Sequence, residues 1–175
     1  DFQCFEDRGG RNRILFRVVF CQQCGLVYTD PWLTPEGANW LFEKAGASYG
    51  HCDPKERVDW VRRVIPEARS VLDLGCGDGS FLNAFPEDFE VTGIESNEHL
   101  VTRGAEQFPQ VRFVQMDMEE CDDFPTADVI TLFHFLEHVQ DPLYLLIQLR
   151  ETATDDTGLV GEVPLLDRAF EAQGR

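Results

Sequence analysis

The sequence predicts an α/β fold in which a parallel sheet carries helices on both faces. Three observations lead there. From Ser70 onward, short apolar and β-branched runs alternate with helical stretches, the rhythm that crossover connections between parallel strands impose. The first run, Val71-Leu72-Asp73-Leu74, passes directly into Gly75-Cys76-Gly77-Asp78-Gly79, and the second ends on an acid, Glu95.

Taken in order, Ile14 to Phe20 reads as a strand and Gly25 to Tyr28 as a second, with Cys21-Gln22-Gln23-Cys24-Gly25 a tight knuckle between them. Thr34 before Pro35 has the form of a helix N-cap and leads into a helix over Glu36 to Lys44. From Pro54 to Ile65, Val58, Val61, Val64 and Ile65 recur at three and four, an amphipathic helix that Pro66 ends. After the strand at Val71–Leu74 come a helix begun by Ser80 to Phe85, a strand at Val91–Ile94 and a helix from Asn97 to Gln107. Strands at Val111–Val114 and Asp128–Phe133, a helix over Pro142 to Glu151 and a strand at Gly158–Val163 complete the series. The change of pattern divides the chain into an N-terminal knuckle and cap segment, residues 1–53, and a Rossmann-like domain, residues 54–175.

Charge narrows the partners. Against 15 Lys and Arg stand 32 Asp and Glu, a formal net charge of −17, so the field of the chain repels phosphate backbones and anionic lipid surfaces. Neither nucleic acid nor a membrane is an expected partner. No apolar run approaches the roughly 20 residues that span a bilayer, and Asp1-Phe2-Gln3-Cys4 lacks the basic and apolar regions of a signal peptide. A cytoplasmic protein is expected, with its six scattered cysteines reduced instead of forming a disulfide framework.

In a parallel sheet, ligands bind beyond the carboxyl ends of the strands, and the first strand-to-helix turn is the usual cradle. Gly75, Gly77 and Gly79 permit positive φ and close approach of a ligand to the backbone, and their repetition at alternate positions exceeds what packing alone requires. Glu95, with Ser96 beside it, lies 22 residues beyond Asp73, where such folds bind the ribose hydroxyls of an adenosine. One carboxylate accepts from both hydroxyls. Asp117, after the third strand of the domain, is placed to accept from an adenine amino group, with Met118 offering apolar contact. His134, Glu137 and His138 follow the fourth strand, where the pocket should lie, and are the candidate proton acceptors, the histidines being the side chains that ordinarily titrate closest to neutral pH. They are four apart, hence on one face if the segment is helical.

These residues resemble the class I S-adenosylmethionine-dependent methyltransferases, in the branch that acts on small molecules. The run Val71 to Leu82 is similar to that family's first motif, Glu95 to its ribose-binding acid, Asp117 to its adenine-side acid, and Thr131 to Pro142 to its segment after strand four. The resemblance implies that the backbone from Gly75 through Cys76 and Gly77 to Gly79 lies against the methionine portion of S-adenosylmethionine. It implies that Asp73 orients the turn or reaches the amino group through water, and that Phe133 and His134 flank the cofactor. A small-molecule acceptor is the implied partner and S-adenosylhomocysteine the implied product. Two further strands that complete the sheet in that family have no counterpart after Pro164, which implies a sheet incomplete at its C-terminal end.

Upstream, Cys21 to Tyr28 is similar to the second half of a zinc-binding knuckle that precedes the catalytic domain in some of these methyltransferases. Structural zinc takes four ligands, commonly two Cys-x-x-Cys pairs. Cys21 and Cys24 make one pair, and the spacing of Cys4, His51 and Cys52 does not dictate a second, so a knuckle without zinc is expected. Two other readings share the pattern. A nicotinamide oxidoreductase has the same fold and ribose acid, but its fingerprint G-x-G-x-x-G/A would put the last small residue at Ser80, where the glycine comes one earlier at Gly79. A regulatory module without activity would keep the cofactor fold and use the knuckle for a partner.

Overall fold

The computed structural model describes residues 2–6, 13–23, 25, 27–30, 53–118, 121 and 123–164. Two compact units divide the chain, Asp1–Tyr49 and Gly50–Arg175. In the first, β1 (Phe2–Glu6), β2 (Arg13–Phe20) and β3 (Val27–Asp30) form an antiparallel sheet in that order. β1 has no counterpart in the sequence reading, because five residues with imperfect alternation carry little signal. β3 begins at Val27 and not at Gly25. Gly25 instead closes the turn with φ +80° while its N–H donates to the Cys21 carbonyl at 2.9 Å, a left-handed conformation that a strand excludes. The helix expected over 36–44, and Cys24, His51 and Cys52, lie outside the described residues.

The second unit is built on five parallel strands in the order β6-β5-β4-β7-β8: β4 (Ser70–Leu74), β5 (Glu90–Glu95), β6 (Arg112–Gln115), β7 (Val129–Phe133) and β8 (Gly158–Glu162). β4 is central, with Asp73 in register with Gly93 on one side and Thr131 on the other. The starts of β4 and β7 are tied by a reciprocal knot. Asp128 Oδ2 accepts from the Arg69 and Ser70 N–H groups at 2.7 and 2.9 Å, while the Asp128 N–H donates to Ser70 Oγ at 2.8 Å. Those N–H donors hold the Asp128 carboxyl below the usual carboxylate range.

Alternation along the strands sends side chains into two apolar layers. Val71, Val91, Val129 and Phe133 join Val58, Val61, Phe81 and Leu82 in one, and Leu72, Leu74, Ile94, Ile130 and Leu132 join Leu145 and Leu149 in the other. The helices are α1 (Pro54–Val64), α2 (Ser80–Asn83), α3 (Glu98–Gln107) and α4 (Pro142–Thr152), with a single 3-10 turn at Leu136–His138. The starts of α1, α3 and α4 are set by side-chain caps. Asp53 accepts from Lys55 N–H with Pro54 in the first turn, Asn97 from His99 and Leu100 N–H, and Asp141 from Tyr144 N–H with Pro142 in the first turn. Val64, expected on the apolar face of α1, is 55% exposed. Val58, Val61 and Ile65 share one stripe at helical spacing, and Val64 lies well round the helix from its centre.

Gly93 shows how tightly the first layer closes on β5. A Cβ there would stand 2.5 Å from Cys76 Sγ and 2.9 Å from Leu82 Cδ1. Replacing it with alanine should destabilise the domain by about 1–3 kcal/mol, the range for overpacking a filled core. Urea denaturation of Gly93→Ala checks this, and a midpoint equal to that of the wild type would show that the layer has slack.

Candidate active site at the glycine turn

The turn between β4 and α2 holds Gly75, Gly77 and Gly79 at φ +72°, +57° and +78°, all left-handed. The Gly75 and Cys76 N–H groups donate to the Ile94 carbonyl at 2.9 and 3.1 Å, which anchors the turn to β5. The three glycines serve different ends. A Cβ on Gly75 would stand 2.5 Å from Phe135 Cδ2, and one on Gly79 would collide with the Phe113 ring, so packing contributes at both positions. At Gly77 nothing lies within 4 Å of such a Cβ. The open backbone of the turn is therefore centred on Gly77.

Glu95, at the tip of β5, leans over that open backbone. Its Oε2 accepts from the Gly77 N–H at 3.0 Å, and its Oε1 from the Asn97 N–H at 2.9 Å and the exposed Ser96 hydroxyl at 3.4 Å. A carboxylate offers about four acceptor positions, so three donors leave capacity for a ligand hydroxyl. Asp117 is exposed just beyond β6. Met118 turns its side chain into the second apolar layer, where it lines a small cleft with Val139, Gln140, Asp141, Tyr144 and Leu145. Cys76 likewise points inward: its thiol sits under Gly93, and burial, with Asp73 and Glu95 nearby, pushes its pKa up. Only its backbone belongs to the turn.

Asp73 is 5% exposed and sits between strands. Its Oδ1 accepts from the Thr131 hydroxyl at 2.6 Å. Burial raises the carboxyl to about 7, against the lowering influence of Thr131 and of the Arg57 guanidinium. Arg57, which the sequence reading passed over, projects from α1 and lies over the Phe133 ring, with Cζ 4.7 Å from its centroid. Phe133 is itself buried, edge-on to Phe81 at 5.0 Å and tilted against Trp60 at 5.8 Å. Arg57 Nη2 donates to Glu162 Oε1 at 2.8 Å, across 105 residues of sequence. Two signals were available: Arg57 stands four residues before Val61, on the stripe that faces the sheet, and Glu162 is an acid at the end of an apolar strand.

The two histidines do not share a helical face. His134 has φ +51°, the one non-glycine among the described residues with positive φ, and only a single 3-10 turn follows, so a spacing of four does not align them. His134 Nε2 lies 2.8 Å from Glu162 Oε1 and Nδ1 lies 3.6 Å from Glu137 Oε1. The same Glu137 oxygen is 3.8 Å from His138 Nε2. Burial lowers the pKa of His138, an effect opposed by Glu137. Glu137 Oε2 and Arg57 Nε are buried and lack a hydrogen-bond partner among the described residues. Those residues also hold no group of three or more His, Cys, Asp or Glu fit to bind a metal ion.

Residues 47–174 match a protein family described as a methyltransferase domain. Among curated proteins, the chain is 36% identical over 64 residues to a dTDP-3-amino-3,4,6-trideoxy-alpha-D-glucopyranose N,N-dimethyltransferase of Streptomyces venezuelae, covering 36% of this chain and 27% of that protein. It is 35% identical over 97 residues to a ubiquinone biosynthesis O-methyltransferase of Stutzerimonas stutzeri, covering 49% of this chain and 40% of that protein. The chain thus spans less than half the length of these relatives. Among solved structures, the S-adenosylmethionine-bound amino pentose methyltransferase CalS10 of Micromonospora echinaspora superposes with a TM-score of 0.59 at 24% identity. That match covers 73% of this chain and 58% of the other, a likeness of fold.

Asp73 gives the site a measurable pH signature. With a folded pKa near 7 against an ordinary 3.8, the native state keeps a proton that the unfolded chain releases, so this contribution to stability is full at low pH and is lost as pH rises through about 7. The stability of the wild type relative to Asp73→Asn should fall by roughly 1 kcal/mol or more between about pH 5 and about pH 8. Urea midpoints across that range test it, and a difference that does not vary with pH would mean that Asp73 is ionised throughout.

Proposed function

The chain belongs to the methyltransferase domain family, and we propose on that footing that it binds S-adenosylmethionine at the glycine turn and methylates a small-molecule acceptor, releasing S-adenosylhomocysteine. The observation that carries the reading is the Glu95 carboxylate resting on the open Gly77 backbone, a bare cradle with an acceptor at its rim. In this reading Glu95 accepts from the ribose hydroxyls with Ser96 beside it. Asp117 accepts from the adenine amino group, while the buried side chain of Met118 backs that end of the site. The backbone of Gly75, Cys76, Gly77 and Gly79 lies along the methionine portion.

That portion carries a carboxylate and an ammonium group, and the end of β4 offers one counter-charge for each. Arg57 supplies the cation, and Asp73 the anion once its proton leaves. Phe133 forms the floor beneath Arg57, and His134 flanks the opening. When bound, S-adenosylmethionine supplies a methyl group made electrophilic by the sulfonium. The work of the protein is then to hold the acceptor in near-attack geometry and to receive its proton. His134 and His138 are the candidates for the second task.

The net charge of −17 favours a small acceptor over a nucleic acid. Among the described residues, no helix is long and apolar enough to cross a membrane. A cytoplasmic location completes the reading. The described knuckle residue Cys21 is not assigned a metal, and zinc is not part of the proposed cofactor set.

Calorimetry with S-adenosylhomocysteine should show saturable binding. Glu95→Ala should weaken it about 10- to 100-fold, the loss of hydrogen bonds to a charged acceptor, and Arg57→Met should weaken it comparably. NADH should give no heat. A wild type that ignores the nucleoside, or a Glu95→Ala variant that binds it undiminished, would overturn the proposal.

A further inference from the structure

Glu162 stands at the meeting point of two parts of the site. It is the last residue of β8 and pairs in register with Phe133. Its carbonyl accepts from the His134 N–H at 2.8 Å, and its side-chain Oε1 faces both His134 Nε2 and Arg57 Nη2 at 2.8 Å. His134 is thus fastened to one residue at backbone and side chain alike, and it sits in a left-handed conformation that a histidine rarely adopts. Such local strain persists only where surrounding contacts over-determine it.

We infer that Glu162 is a positioning residue that holds the His134 imidazole with a proton on Nε2, leaving Nδ1 as the nitrogen that receives a proton from the acceptor. This rests on the methyltransferase reading for its use, though not for its geometry. An ionised carboxylate only accepts hydrogen bonds, so a ring nitrogen 2.8 Å from it must donate. Arg57, bonded to the same oxygen, keeps Glu162 ionised by lowering its pKa. When an acceptor O–H or N–H bond breaks, its electron pair stays on the heteroatom and its proton passes to Nδ1. The imidazolium then lies between Glu162 on Nε2 and Glu137 Oε1, 3.6 Å from Nδ1. Glu137 is a second carboxylate already placed to stabilise the new positive charge.

Nitrogen-15 NMR of the histidine rings of the full chain tests this, with the His134 signals assigned by their loss in His134→Gln. In the wild type, neutral His134 should carry its proton on Nε2, and that proton should exchange slowly enough with water to be seen. Glu162→Leu should abolish the protected Nε2–H signal, and Glu162→Gln, which retains an oxygen acceptor, should restore it in part. A proton on Nδ1 in the wild type refutes the inference without any variant. So does an Nε2–H signal that survives Glu162→Leu unchanged. Titration of the same wild-type sample with S-adenosylhomocysteine separates the two readings: failure to bind would sink the methyltransferase proposal and leave the ring signals to decide the role of Glu162.

Discussion

Asp73 loses its water at the centre of the sheet, and the hydroxyl of Thr131 is what meets it. A carboxyl in that position is costly to ionise, and no packing of apolar neighbours relieves it. Thr131 belongs to β7 and Asp73 to β4, so their bond at 2.6 Å depends on those strands lying in register, which the Asp128 and Ser70 knot at the strand starts enforces. The glycine turn begins two residues after Asp73 and is fastened to the neighbouring β5 through the Ile94 carbonyl. The open backbone at Gly77 is where it is because three parallel strands are aligned beneath it.

Basic and acidic side chains alternate in a row at the site. Arg57, Glu162, His134, Glu137 and His138 follow one another at 2.8, 2.8, 3.6 and 3.8 Å, crossing from the first helix of the unit to the segment after β7. The pairs are partly exposed, so each contributes modestly to stability. Orientation is the larger effect. A guanidinium spread on the Phe133 ring and an imidazole fastened at two points are groups whose direction is settled before any ligand arrives, which lowers the ordering cost of binding.

The α/β pattern, the order of elements from Pro54 to Glu162 and the glycine turn were legible in the sequence because each rests on local signals: alternating apolar runs, capping residues and glycines. Glu95 was legible too, since its position is fixed by the length of one strand–helix unit. What escaped depends on contacts between distant segments. Nothing local marks Arg57 as the partner of Glu162, or Phe135 as the ring that fills the space above Gly75. A spacing of four would put the two histidines on one face only in a helix, and the left-handed backbone of His134 does not meet that condition. Cys76 and Met118 lie at the glycine turn and just past a strand tip, yet their side chains belong to the core, which spacing alone does not reveal.

The central place of β4 also bears on how the domain assembles. Its neighbour β5 follows closely in the chain, whereas β7 arrives 58 residues after Asp73. A nascent pair of β4 and β5 would already present the bent glycine loop while Asp73 still lacked the threonine hydroxyl. Long-range closure is the slower event in such topologies, so an early intermediate would leave Asp73 hydrated and ionised, and completion of the sheet would desolvate it and favour the protonated acid. Acidity of the folding medium would then influence the rate of maturation through the carboxyl that the finished sheet buries.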